Sequence, residues 1–369
     1  MTDSIQHLGP LAPLAALERV TDVLLTPDGQ VWIDRGSGME LAQVAVPLTD
    51  PDVQRMFAMR LCAQLGSRLD EANPIADAAA VDGLRVHAVI APIVPQGAAV
   101  SIRLPEREAL SLAQLEQSGL CPHAWVVLLR ALVQQRANVL ICGGTGSGKT
   151  TLLKAMLLEA DDHERIVAVE EVRELGALAH RHVVSLVARQ ANVEGAGAID
   201  LAQLVKATLR MRPDRIVLGE CRGEEIADLL RALNSGHRGS MTTLHADSVE
   251  RVPARLIALG LLAGVQPQAL ALLAHGAFHI IVHLSRQGSH RFIDEIGCFG
   301  IQDGSLAART AARWDGQSKP QYSEYWQTAI QPWCGVGQSV KSKATEPATS
   351  QQQIQRTAQQ QIRREAGKR

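Results

Sequence analysis

An α/β fold with a parallel sheet at its centre, preceded by a small α+β domain and followed by a disordered tail, is the fold class predicted for this 369-residue chain by three features of its sequence. Between residues 110 and 300, short β-rich apolar runs alternate with stretches of helical periodicity, the pattern of a doubly wound sheet. Before them lies a region of strand-like segments and turn signals. After them comes a segment rich in Gln, Lys and Arg with few large aliphatics, which cannot build a core.

In chain order, Asp22–Leu25, a Pro27-Asp28-Gly29 turn and Gln30–Asp34 read as a hairpin. Val53, Met56, Phe57, Leu61 and Leu65 have helical spacing. Leu84–Ile90 and Ala98–Arg103 read as two further strands. These elements define an N-terminal domain over 1–104, with 105–120 as a linker. Over 121–300 the predicted strands are 138–142, 165–170, 214–218, 240–244 and 277–284, with helices over 200–210 and 223–233. Residues 256–284 are strongly apolar but interrupted by Gly264, Pro267 and three histidines, which predicts two core helices and a strand rather than a membrane span. Residues 301–369 are expected to be a variable, disordered basic tail.

Composition narrows the function. A net charge of −1 provides no global field for nucleic acid, and 3% aromatics leave few stacking platforms, so there is no strong nucleic-acid signal. The six cysteines form no CxxC pair, which argues against a zinc ribbon or a disulfide scaffold and suits a reducing cytosol. The N-terminus lacks a basic n-region followed by a long apolar core, so no signal peptide is expected there.

The most specific motif is Gly143-x-x-x-x-Gly148-Lys149-Thr150, set between an apolar strand and a helix. Such a P-loop curls its backbone N–H groups around the α/β-phosphates of a nucleotide. The expected ATP-binding residues are Gly143, Gly144, Thr145, Gly146, Ser147, Gly148, Lys149, Thr150 and Thr151, with the four glycines supplying positive φ. Lys149 is assigned to the β/γ oxygens and the Thr150 hydroxyl to Mg2+. Three further groups fall at predicted strand ends. Glu170-Glu171 offers a carboxylate to accept a proton from water. Glu220 follows the apolar run Ile216–Leu218 as in a Walker B motif, and either holds Mg2+ through water or orients the nucleophile. His245, after Thr242-Thr243-Leu244, is placed to donate to the γ-phosphate. His279 and His283 share a strand face but lack a third ligand, which argues against a metal site there.

Taken in order, the Walker A motif, the acidic box, the Glu-type Walker B and the Thr-Thr-Leu-His box resemble those of the type II/type IV secretion and pilus ATPases. Met211–Arg215 and Ala232–His237 extend the resemblance. Residues 82–103 and 31–41 look like the tight-adherence (Tad/Flp) pilus branch, CpaF-like. The resemblance covers roughly residues 18 to 297. It implies a RecA-like P-loop NTPase domain and a Mg2+-dependent ATPase working as a homo-oligomeric ring, usually a hexamer. Such an enzyme would be cytoplasmic, held at the inner face of the plasma membrane by inner-membrane platform proteins. It also implies arginines reaching the phosphates from the N-terminal domain. Here the matching positions are Arg103, which is preferred, and Arg85, with Arg210 and Arg212 as further candidates for phosphate or a neighbouring subunit.

The expected function is therefore a motor of a Tad/Flp-type pilus or secretion machine. The alternatives are a conjugal or DNA-transfer ATPase, a nucleotide-gated scaffold with little turnover, and a nucleic-acid motor. Two departures bear on this. Glu171 stands where the family usually has Asp, and Asp247 where it usually has Asn, and Asp cannot donate the amide hydrogen bonds of Asn. Asp247 is expected to act as a cap or turn residue near Ser248.

Overall fold

A computed structural model of the chain describes residues 3–36, 38–105, 109–176, 178, 180–189 and 196–335. It contains two sheets. The first has six antiparallel strands, β1 (Asp22–Leu25), β2 (Val31–Asp34), β3 (Met39–Ala42), β4 (Ile75–Ala79), β5 (Arg85–Ile90) and β6 (Ala98–Arg103). Their order is β3-β2-β1-β6-β5-β4. The helix Pro51–Gln64 begins at Asp50, whose carboxylate accepts the N–H groups of Asp52 and Val53. Its Ala58, Leu61 and Cys62 join Val86, Ala88, Val100 and Ile102 in one apolar core. β4 was not legible in the sequence, because Ile75-Ala-Asp-Ala-Ala79 carries only small side chains on its buried positions.

The second sheet comprises β7 (Val139–Gly143), β8 (Ile166–Glu170), β9 (Val183–Val187), β10 (Arg215–Cys221), β11 (Met241–Leu244), β12 (Ile280–Gln287), β13 (His290–Gln302), β14 (Ser305–Arg313) and β15 (Gln321–Tyr322). Its order is β15-β14-β13-β12-β7-β11-β10-β8-β9. The six strands from β12 to β9 pair in parallel, and β12 to β15 pair antiparallel. Apolar cores lie on both faces of this sheet. One is formed with the helices His123–Gln134 and Lys149–Leu157. The other is formed with Glu225–Asn234, Val252–Leu262 and Pro267–Ala277. Helices on both faces bury β7 and β8 completely, which is why these two strands read as unbroken apolar runs.

Two expected boundaries need correction. The proposed linker over 105–120 contains the helix Leu112–Gln117, which starts with a Ser111/Gln114 capping box. Its Leu112 and Leu115 are buried in the same core as β7, so this segment packs with the second sheet. Residues 301–335, expected to belong to a disordered tail, carry the end of β13, β14, β15 and a short helical segment. Ala311, Ala312 and Ile330 are core residues, and Trp314, Trp326 and Trp333 pack on that core. Small alanines and scattered tryptophans make a weak hydrophobic signal when averaged with a polar tail. Residues 336–369, the rest of the expected tail, lie outside the described residues. Among the described residues, no helix is long and apolar enough to cross a membrane.

One buried charge ties the sheet to its surroundings. Arg215, 1% exposed at the start of β10, donates to the carbonyls of Gly239 (3.1 Å) and Val133 (2.8 Å) and pairs with Glu164. Glu164 keeps Arg136 at 2.6 Å, so removing Arg215 withdraws one of its two partners and the donors to two buried carbonyls, at roughly 1–3 kcal/mol. Arg215→Ala should therefore lower the free energy of unfolding by an amount of that order, read as a lower urea midpoint at an unchanged denaturant slope.

Candidate active site

The parallel strands end at one edge of the sheet, and neighbouring strands bring distant sequence segments together there. In the order β7, β11, β10, β8, their ends carry the P-loop, His245, Glu220 and Glu170. Three strand spacings separate the first from the last, roughly 14 Å.

The P-loop geometry follows from its glycines. A Cβ on Gly143 would stand 2.4 Å from the Leu284 carbonyl oxygen of β12, so no other residue fits against that strand. Gly148, at φ +97°, precedes the helix Lys149–Leu157 and turns the loop into it. Gly144, expected to share this conformation, has neither a positive φ nor a crowded Cβ position. Thr145 and Gly146 are exposed at the loop tip, Ser147 is buried, and Thr151 is half-buried in the first helical turn. Lys149 Nζ donates to the carbonyls of Gly143 (3.0 Å) and Gly144 (2.8 Å). Burial holds its pKa below the ordinary lysine value, opposed by the charge of Glu220. The Thr150 hydroxyl donates to Glu174 Oε2 at 3.1 Å.

Glu170 is 2% exposed. Its Oε1 accepts the N–H groups of Glu174 (2.8 Å) and Leu175 (2.7 Å), while its Oε2 is buried without a partner. Burial raises its pKa, against the pull of those two N–H groups. Gly219 lies close beside it, and a Cβ there would stand 3.1 Å from Glu170 Cγ, a tight contact. Glu220 lies within β10 rather than after it, beside a register shift between Leu218 and Cys221. Its Oε2 accepts from Arg222 at 2.7 Å. His245 Nε2 is 2.9 Å from Glu220 Oε1, but without hydrogen-bond geometry, so that oxygen has no donor. Glu171 is exposed and pairs with Arg222 at 3.3 Å, so the second acid of the box serves an arginine. Of the two roles expected for Asp247, cap or turn residue, the turn role fits its place: it is exposed at a bend, and no side-chain cap forms on the turn Val249–Arg251 that follows.

The N-terminal sheet reaches this edge through Arg85, whose Nη2 is 2.5 Å from Glu174 Oε1. Arg103 sits opposite Arg85 in the β5–β6 register and has no ion-pair partner among the described residues. Burial opposes ionisation of Glu174, yet the charge and hydrogen bond of Arg85, the Thr150 hydroxyl and the charge of Arg103 together hold its pKa below the ordinary glutamate value. Both arginines, with Arg173 and Arg222, line an open cleft between the two sheets. Arg210 and Arg212 lie before the start of β10, at the opposite end of the strand from Glu220, so within one chain they are away from this edge.

Four residues here were given no role by the sequence: Glu174, Arg222, Arg286 and Arg291. Arg291 Nε donates to the Gly146 carbonyl at 2.8 Å, from a strand position opposite Arg286. Glu174 stands in the acidic box itself, so its position was a usable signal. Arg286 and Arg291 are brought to the P-loop only by β12–β13 pairing, which leaves no local motif. Among the described residues, no His, Cys, Asp and Glu cluster forms a metal-binding group.

Burial, with the charges of Lys149 and nearby arginines, holds the His245 pKa below the ordinary histidine value, against the opposing charge of Glu220. Its neutral form is therefore favoured in the folded chain. The stability this contributes is present above about pH 6.5, the unfolded histidine value, and is lost as pH falls towards the lower folded value. His245→Gln should thus lose less of its melting temperature than the parent chain between pH 7.5 and pH 5.5, as scanned by calorimetry.

The family model for "Type II/IV secretion system protein" matches residues 7–365. A Mycobacterium tuberculosis protein named for conjugal transfer is 43% identical over 309 residues, covering 82% of this chain and 87% of its own length. The conjugal transfer protein TrbB of Rhizobium radiobacter is 31% identical over 282 residues, covering 75% and 83%. The type IV secretion system protein VirB11 of Brucella suis is 30% identical over 322 residues, covering 79% and 88%. In fold, the chain is similar to the Legionella pneumophila ATPase DotB, with a TM-score of 0.53 at 15% identity over 92% of this chain and 86% of that one. It is equally similar to the pilus retraction motor PilT with bound ADP, with a TM-score of 0.53 at 19% identity over 88% and 84%. The two-sheet architecture, the P-loop edge and the match over residues 7–365 agree: this chain belongs to the type II/IV secretion system protein family.

Proposed function

We propose that the chain is a Mg2+-dependent ATPase that drives a conjugal or type IV secretion machine. The observation that carries the catalytic reading is a set of three buried polar atoms without hydrogen-bond partners, Ser147 Oγ, Glu170 Oε2 and Glu220 Oε1, on the strand ends and loop around Lys149. Buried polar atoms are normally satisfied, so orphans gathered at one edge mark where a polar ligand completes the set. The oxygen-rich set also suits Mg2+, a hard cation, with the Thr150 hydroxyl as ligand and Glu220 acting through water. When bound, Mg2+ would neutralise charge on the β- and γ-phosphate oxygens.

The side chains divide the remaining work. Lys149 exchanges its two loop carbonyls for phosphate oxygens. Glu170, buried and with its pKa raised, takes a proton from water as the water oxygen bonds to the γ-phosphorus and the bond to the β-phosphate oxygen breaks. His245 donates to the γ-phosphate. Arg85 and Arg103 bring positive charge from the N-terminal sheet to the transition state, which makes turnover depend on domain placement.

The choice of machine rests on the relatives. The M. tuberculosis protein and TrbB are named for conjugal transfer and VirB11 for type IV secretion, which supports the conjugal alternative over a Tad/Flp pilus. On this reading the chain works as a homo-oligomeric ring, expected to be a hexamer, on the cytoplasmic face of the inner membrane, held there by membrane components of the machine.

Phosphate release by the purified oligomer, with Mg2+ and in EDTA, tests the enzyme. Lys149→Ala should abolish productive ATP binding, and Glu170→Gln should bind ATP but turn over about 10²–10⁴-fold more slowly. Bound ATP with no phosphate release from the parent chain would instead favour a nucleotide-gated scaffold. Deleting the gene should abolish DNA transfer, whereas loss of pili with transfer intact would return the function to the pilus branch.

A further inference from the structure

The acidic segment after β8 touches both sheets at once. Glu174 accepts the Thr150 hydroxyl on Oε2 and meets Arg85 on Oε1. The residues around it are fixed as well. Glu170 Oε1 receives the N–H groups of Glu174 and Leu175. Arg173 Nη1 donates to the Val81 carbonyl at 2.9 Å. Gly83, at φ +97°, lies so close that a Cβ there would stand 2.7 Å from the Arg173 carbonyl oxygen. The loop between β4 and β5 therefore rests directly on the segment that holds Thr150.

A threonine hydroxyl has one proton to donate and two lone pairs to offer. With the proton given to Glu174, the lone pairs are left for a cation, and the rotor no longer turns freely. Carboxylates outside a ligand set commonly orient a ligand in this way. β10 makes no such contact with Thr150: its Glu220, one residue before the end of the strand, is held by Arg222. Glu174 is in turn restrained by a guanidinium from the other sheet, with Arg103 adding to the same positive field.

We propose that Glu174 is a positioning residue that orients the Thr150 hydroxyl for Mg2+ and relays to it, through Arg85, the placement of the N-terminal sheet. The inference rests on the P-loop being an ATP–Mg2+ site. Rotation of the N-terminal sheet away from the P-loop edge removes Arg85, leaving Glu174 without its counter-charge and Thr150 with a less ordered acceptor. Domain placement thereby sets the grip on the cation as well as the charge at the γ-phosphate.

Binding of a fluorescent ADP analogue to the full chain, titrated with Mg2+ and separately in EDTA, tests the first half. Glu174→Ala should weaken apparent Mg2+ affinity by about 10–100-fold and leave analogue affinity in EDTA unchanged. Glu174→Gln keeps an acceptor oxygen for Thr150 but not the charge for Arg85. It should retain most of the Mg2+ affinity while hydrogen exchange at residues 81–84 speeds up. Parent-like Mg2+ affinity in Glu174→Ala, or an equal loss in EDTA, would overturn the positioning role. Unchanged exchange at 81–84 in Glu174→Gln would overturn the relay. Lys149→Ala separates this from the underlying reading: if it binds the analogue as the parent does, the P-loop assignment itself fails.

Discussion

Parallel pairing of β7, β11, β10 and β8 is the constraint on which the rest of the molecule depends. Parallel strands all end at one edge, so any polar group at a strand terminus is delivered to the same strip of surface. The strands are buried on both faces, and their interiors are therefore aliphatic, which leaves their ends as the natural places for charge. The P-loop, His245, Glu220 and Glu170 occupy four consecutive termini. Small residues set the close approaches: Gly143 lets the loop lie against β12, and Gly219 lies close beside the buried Glu170.

The same edge is where the two sheets communicate. The antiparallel N-terminal sheet is a separate apolar body, with its own helix and core. Its contacts with the P-loop edge are polar: Arg85 with Glu174, and Val81 with Arg173. Polar contacts of this kind exchange readily with water or with phosphate, whereas a buried apolar interface would have to expose surface to move. Such a junction is compatible with the domain movement proposed above. Glu171, which departs from the family pattern, is occupied with Arg222 and leaves Glu170 as the acid of that pair with a buried, unpartnered oxygen.

The antiparallel extension β13–β15 extends the sheet on the P-loop side. It covers the core beside β12 and carries Arg291, which holds the Gly146 carbonyl. Trp125 packs edge-on against Trp314 at 6.3 Å, fastening the helix His123–Gln134 to this late segment of chain. Residues far apart in sequence thus brace both the floor of the core and the tip of the phosphate loop.

Much of the site was legible in the sequence, because its chemistry is written locally. Gly143 to Thr150 needs bare backbone, a cation and a hydroxyl at fixed spacing, and Glu170, Glu220 and His245 each follow a recognisable apolar strand. The acidic box and Walker B strand could be read without knowing which strands are neighbours. The order of those strands could not: the chain makes β7, β8, β10 and β11 in succession, but hydrogen bonding arranges them as β7, β11, β10, β8. Nor could the sequence show which of Arg85 and Arg103 pairs with Glu174, since the two are cross-strand neighbours with the same charge. β4 and β14 escaped detection because their burial relies on small residues rather than on long apolar runs. Local spacing therefore determined which chemical groups this protein has, and the pairing of strands distant in sequence decided which of them meet, because side-chain contact depends on register across a sheet and not on separation along the chain.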